Sequence, residues 1–147
     1  MASQTIVLGP WGGTGGDAWD DGSYTGVRTI NLTHKEAIGS FYVVYDLNGQ
    51  TFDGPKHISN RPFTAEKIEL RFPAEYLVDV SGYISTVPEF PTKVVRSLTF
   101  KTNQRTFGPY GPEEGTAFSI PIENGKVVGF KGRSMGLLDA ISIHLAH

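Results

Sequence analysis

Apolar residues along this chain return at every second position rather than every third or fourth. The alternation is enriched in β-branched and aromatic types over residues 26–32, 40–47, 67–72, 94–101, 117–122, 126–131 and 140–145. A period of two belongs to strands with one buried face. Asn48-Gly49 and Asn124-Gly125 each sit between two strand-like runs. Asn-Gly accepts positive φ at both central positions, so each pair is predicted to close a hairpin through a type I′ turn. Thr102-Asn103-Gln104 is predicted to close a third, joining residues 98–101 to 105–107. The one helix-like stretch, Pro73-Ala74-Glu75-Tyr76, is too short for more than a turn. The pattern predicts an all-β chain.

Composition narrows this picture. The 147 residues include no cysteine and 18 glycines, against an average glycine share of about 7%. A single domain over residues 1–147 is expected, since a chain of this size buries about 68–70% of its unfolded surface without a covalent staple. Absent cysteine excludes disulfides, thiolate metal sites and cysteine nucleophiles. The glycine surplus fits many turns between short strands. Thirteen basic and fifteen acidic residues, net −2, are scattered without long runs. That leaves no basic footprint for nucleic acid. No window approaches the roughly 18 apolar residues that span a bilayer, so membrane insertion is not predicted. The start, Met-Ala-Ser-Gln, has neither the basic nor the apolar region of a secretory signal, so a cytoplasmic location is expected.

The chain also echoes itself. Gly9-Pro10-Trp11-Gly12-Gly13 is matched by Gly108-Pro109-Tyr110-Gly111 and faintly by Asp53-Gly54-Pro55. The echoes are about 45–55 residues apart, which predicts three four-stranded units. No such unit buries its own apolar face, so the three must share a core.

Six segments carry a resemblance: GPWGG from Gly9, WDDGSYTG from Trp19, VYDLNG from Val44, RSLTFKTN from Arg96, FGPYG from Phe107 and VGFKGR from Val128. In this order, over nearly the whole chain, they resemble a jacalin-related lectin, most closely the mannose-binding branch from mulberry-family plants. The resemblance implies a β-prism I fold: three four-stranded antiparallel Greek-key sheets with pseudo-threefold symmetry. It also implies a non-catalytic lectin for mannose, glucose and high-mannose glycans, without metal or cofactor, cross-linking glycans as an agglutinin and assembled as a homotetramer. A trimmed precursor in this family would instead place the protein in a vacuolar or seed storage compartment.

The residues give catalysis little support. There is no nucleophile elbow, phosphate loop or zincin helix. His34, His57, His144 and His147 are not at ligand spacing. Asp20-Asp21 and Glu113-Glu114 are the adjacent acidic pairs, but neighbours on a strand point to opposite faces and could not face one substrate as a glycosidase pair must, so both are expected to be solvated turn residues. Sugar binding asks for less: one carboxylate accepting from two adjacent hydroxyls, and rigid main-chain N–H groups in glycine-rich turns. The resemblance carries that site onto Gly16, whose main chain meets the sugar, and onto the segment GRSMGLLD ending at Asp139. There Asp139 supplies the carboxylate, and Gly136 and Leu137 the N–H donors.

One departure stands out. The family's loop reads Gly-x-x-x-Asp, but here Met135 holds the glycine position and Gly136 follows. Either Met135 takes up strain, or the turn shifts by one residue onto Gly136. The bare pattern occurs at residues 13–17, 16–20 and 49–53, and about one chance match is expected, so no second site is predicted. An unbroken Thr14-Gly15-Gly16 implies no freed amine of the galactose-binding type, hence a mannose or glucose preference. Residues 83–90 read as a long exposed loop whose two aromatics, Tyr83 and Phe90, either extend the site or only pack the loop. Trp11 and Trp19 are read as packing residues. The sequon Asn31-Leu32-Thr33 falls in a predicted strand and is expected to be unoccupied. The rival reading is a β-prism module for protein partners that has lost sugar binding.

Overall fold

The computed structural model describes residues 5–120 and 125–146. Those residues form twelve strands in three antiparallel four-stranded sheets. The second sheet is the simplest to follow. β3 (Gly26–His34), β4 (Ile38–Leu47) and β5 (Gln50–Asp53) run as consecutive neighbours, and β6 (Thr64–Glu69) returns beside β3. The third sheet repeats this Greek key with β7 (Leu77–Ser85), β8 (Val94–Thr102) and β9 (Thr106–Tyr110), closed by β10 (Thr116–Ser119) beside β7. In the first sheet β11 (Lys126–Met135) and β12 (Leu137–Ala146) form the inner hairpin. β1 (Thr5–Gly12) pairs with β12, and β2 (Asp17–Asp20) with β11. This is the same key with the chain opened between its second and third strands, which is why the first and last strands pair.

The three echoes mark equivalent places. Gly12 lies against the Asp139 carbonyl and Gly111 against the Arg96 carbonyl, each at the end of the strand beside the inner hairpin. Phe41 bridges His57 at the matching position of the second sheet, so Gly54, three residues before His57, corresponds to Gly9 and Gly108. The prolines differ: Gly9-Pro10 and Gly108-Pro109 are cis, and Gly54-Pro55 is not among the cis bonds. Asn48 has φ 52 and Gly49 φ 87, the pair of positive values that the predicted type I′ turn requires. The predicted turn at Asn124-Gly125 begins outside the described residues.

One apolar face of each sheet turns inward. Phe41 from β4 packs edge-on to Phe130 of β11 at 5.1 Å and faces Phe100 of β8 at 6.4 Å. All three rings are 0% exposed, and together they join the sheets at the axis. Trp11 stacks on Phe118, and Trp19 on Phe41 and His57. Both tryptophans are therefore packing residues, as expected.

Several expectations need correction. Residues 67–72 do not stay a strand: β6 ends at Glu69, and residues 72–74 turn ahead of Glu75. The strand run predicted at 117–122 lies at Thr116–Ser119, with its last two residues outside the described chain. β7 was not foreseen. A bulge between Leu77 and Asp79 and a glycine at 82 break its alternation. Tyr83 consequently belongs to that strand, paired with Ser97 and Ala117. It is half-buried on the outward face, since its neighbours Gly82 and Ile84 face the core. Asp21 is not a solvated turn residue either. It is buried, accepting from the Tyr45 hydroxyl at 2.7 Å and pairing with His57 Nε2 at 2.9 Å. Burial, then this carboxylate, push the Tyr45 hydroxyl far up from its ordinary pKa.

Glu75 is the other buried acid worth a measurement. It is 0% exposed, and Arg105 Nε and Nη2 donate to its two oxygens at 2.8 and 2.6 Å. Thr102 Oγ1 and the Arg71 N–H complete its shell. These donors, Arg105 foremost, hold its carboxyl at about 2, below the ordinary 4.5. A depressed acid stabilises the fold above its unfolded pKa and loses that contribution as pH falls toward its folded one. Glu75→Gln should therefore cost about 2 kcal/mol at neutral pH, reduced from a fully buried pair because Arg105 is partly exposed. The gap to the wild type should close between about pH 4.5 and 2. Thermal unfolding of both proteins across that range checks it, and an unchanging gap would refute the assignment.

Candidate functional site

The inner hairpin of each sheet carries a bulge at the same place, just inside its tip. In the first sheet Arg133 pairs with Ala140 and Ser134 with Leu138, which leaves Asp139 without an opposite residue. In the third sheet Tyr83 pairs with Ser97 and Ile84 with Val95, which leaves Arg96 over. In the second sheet Leu32 pairs with Phe41 and His34 with Ile38, leaving Gly39 and Ser40 over. A bulge re-aims a side chain out of the alternating pattern. The three keys thus present Asp139, Arg96 and Ser40 at related positions, with different fates. Arg96 is spent on the Glu36 and Thr86 carbonyls, and Ser40 on Ser59. Asp139 alone keeps an unpartnered oxygen, Oδ2, shut away from solvent.

Around that oxygen lie two of the predicted elements. The turn between β1 and β2 brings Gly15 and Gly16 against the carboxylate. A Cβ on Gly15 would stand 3.0 Å from Oδ1, and one on Gly16 would overlap Oδ2. Gly16 has φ +72, a conformation side chains rarely adopt, so glycine is needed there for both shape and space. Arg133 locks the turn from below, with Nε donating to the Gly15 carbonyl at 3.0 Å and Nη2 to the Gly16 carbonyl at 2.8 Å. The Gly13 N–H donates to the Asp139 carbonyl at 2.8 Å and ties β1 to the same spot.

The tip of the β11–β12 hairpin forms the second side. Met135 pairs with Leu137, so Gly136 makes the turn by itself, at φ +77. Met135 is not among the residues at positive φ. Of the two readings of the loop, the shifted turn is the one observed. Met135 projects outward, 64% exposed, and Leu137 is 1% exposed beside Val87, Val94 and Ala37. Burial pushes the Asp139 carboxyl up from its ordinary 3.8, opposed by the Met135 main-chain N–H and the Arg133 charge.

The loop between β7 and β8 closes a third side. Phe90 packs on the Leu137 cluster, 3.8 Å from where a Cβ on Gly136 would be, with the Arg61 guanidinium over its ring. Of the two aromatics considered for the site, Phe90 is therefore beside it. Tyr83 is on a sheet face elsewhere. Thr92 was not foreseen: its Oγ1 lies 2.8 Å from the Cβ position of Gly15. Arg133 and Ser59 were also missed, for the hydrophobic pattern does not mark the bulge at Asp139. The literal motifs elsewhere hold no comparable acceptor, for neither Asp17, Asp20 nor Asp53 has a buried unpartnered oxygen. Among the described residues no group of three His, Asp or Glu side chains could hold a metal ion.

Residues 8–144 match the jacalin-like lectin domain. The mannose-binding lectin from Champedak is 66% identical with a TM-score of 0.96, and both chains are covered in full. A mannose-specific jacalin-related lectin from Morus nigra, solved with mannose, is 61% identical with a TM-score of 0.95, covering 99% of this chain and 97% of that one. A galactose-specific lectin from Morus indica is 53% identical over 98% of this chain and 94% of its own. A match that takes in both glycine-rich turns and all three sheets leaves one conclusion: the chain belongs to the jacalin-like lectin family.

Proposed function

We propose that the site at Asp139 binds a terminal mannose or glucose residue, without catalysis. The observation that carries this is the Asp139 carboxylate, which a bulge sets between the Gly15–Gly16 turn and the Gly136 tip. A pair of adjacent sugar hydroxyls would donate to that carboxylate, while the main-chain N–H groups of Gly16, Gly136 and Leu137 donate to sugar oxygens. Phe90, beside the Gly136 tip, would be available to a further residue of a high-mannose glycan. Mannose is favoured over galactose on two grounds: the turn through Thr14, Gly15 and Gly16 is unbroken, and the mannose-binding relatives are nearer in sequence, at 61 and 66%, than the galactose-specific one at 53%.

A few hydrogen bonds offset association entropy only narrowly, so each site binds weakly and useful avidity comes from several protomers on one glycan array. A homotetramer is proposed for that reason. The protein should be retained on mannose-agarose, elute with methyl α-mannoside and ignore galactose, and it should sediment well above its 16.0 kDa chain mass. A folded protein that passes straight through would favour the rival reading, a β-prism module for protein partners. Sedimentation at the chain mass would end the tetramer.

A further inference from the structure

The hairpin tip at Gly136 is held from outside its own sheet. Ser59, in the connection between β5 and β6, donates its hydroxyl to the Gly136 carbonyl at 2.6 Å. The two residues are 77 apart in the chain and come from different sheets. We propose that Ser59 is a positioning residue for the sugar site, fixing the orientation of the Gly136–Leu137 peptide. The inference rests on the reading that Leu137 donates to the sugar.

A trans peptide is planar, with its C=O and N–H on opposite sides. The bond joining Gly136 to Leu137 carries the Gly136 carbonyl and the Leu137 N–H in one plane. Whatever holds the carbonyl also aims the N–H. A turn made by one glycine has little else to fix that plane, because glycine lacks the steric walls that restrict other residues. The Leu137 side chain anchors one end in its apolar cluster, whereas the Met135 side chain on the other side is mostly exposed. Without the Ser59 hydroxyl the plane is free to tilt, and a donor that must first be ordered binds less tightly.

Ser59 itself is firmly held. Its N–H donates to Ser40 Oγ at 2.7 Å, and Ser40 Oγ donates back to the Ser59 carbonyl at 3.3 Å. The Ser40 N–H is in turn taken by Thr33 Oγ1 at 2.8 Å. Two residues earlier, His57 exchanges main-chain hydrogen bonds with Phe41 on β4. The Arg61 N–H donates to Ser59 Oγ at 3.2 Å, which occupies one lone pair and directs the hydroxyl proton toward Gly136. The threefold relation gives this arrangement a meaning. Ser40 occupies in the second sheet the bulge position that Asp139 occupies in the first. There the position is closed on itself by Ser59, and the closed unit serves as a prop for the open one.

The test compares Ser59→Ala with Ser59→Thr, which keeps the hydroxyl. Calorimetric titration with methyl α-mannoside should show Ser59→Ala weaker by about three- to tenfold, the worth of one ordered hydrogen bond, with Ser59→Thr restored to within about twofold of the wild type. Amide exchange at Leu137 should quicken in the sugar-free Ser59→Ala protein and recover in Ser59→Thr, while unfolding temperatures stay together. Ser59→Ala binding with wild-type affinity overturns the proposal. So does an equal loss in both variants, which would mark Ser59 as a packing residue. If the wild type itself binds no mannoside, the functional reading fails and the exchange rates judge the prop alone: an unchanged Leu137 rate in Ser59→Ala overturns it.

Discussion

Asp139→Asn should abolish retention on mannose-agarose and weaken methyl α-mannoside binding by about a hundredfold or more. Hydrogen bonds to a charged acceptor contribute about 1.5–3 kcal/mol each, and two adjacent hydroxyls would lose theirs together. Asparagine matches aspartate in volume, so the Gly15–Gly16 turn has no reason to shift. The same substitution should leave the melting temperature at neutral pH equal or higher. Burial holds the Asp139 carboxyl above its ordinary 3.8, and an acid with a raised folded pKa costs the fold stability once pH rises through that value. The site therefore works against the fold that carries it, as binding sites often do. Acid should reproduce the variant: as pH falls through the raised pKa, affinity declines sooner than an ordinary aspartate would allow. A glycan array with wild type and Asp139→Asn side by side, and a melting curve for each, would decide it. Undiminished mannose signal from the variant would remove Asp139 from the site.

How much of this was legible in the sequence depends on burial. β3, β4, β8, β11 and β12 are central strands with at least one face in the core, and each shows up as an alternating or continuous apolar run. β5 is exposed at all four of its residues, and β2 is acidic and mostly exposed. Edge strands of this kind have no apolar pattern to read, and only the hairpin logic of Asn48-Gly49 implies the first of them. β7 is central and was still missed, because a bulge puts its residues out of step. The same feature hid the surroundings of the site. Asp139 was found by resemblance, whereas Arg133 comes beside it through the bulge of their shared sheet, and Thr92 and Ser59 reach its surroundings on loops of the other two sheets. Met135 shows the opposite case. Its place in the pattern suggested strain, and the turn avoids it by moving one residue onto Gly136.

Gly16→Ala is the second substitution expected to have a large effect, and here fold and site should fail together. Two separate terms are involved. The first is conformational: at φ +72 a Cβ costs about 1–2 kcal/mol. The second is spatial, since that Cβ would overlap Asp139 Oδ2 and stand 2.7 and 2.9 Å from the Ser134 carbonyl carbon and oxygen. Those last two atoms are main chain and cannot rotate away, and Arg133 holds the Gly16 carbonyl in place. The turn must therefore move off the carboxylate. Gly49→Ala is the matching control, for φ is +87 there and nothing lies within 4 Å of the added carbon. It carries the first term only. Gly49→Ala should lose about 1–2 kcal/mol of stability and keep full mannoside affinity. Gly16→Ala should lose more stability and bind at least about tenfold more weakly. Urea unfolding and calorimetric titration of the two variants separate the terms. If both lose the same stability and neither loses affinity, the contact between Gly16 and Asp139 contributes nothing to the site. A loss of affinity confined to Gly16→Ala shows that the sugar needs the turn where this contact puts it.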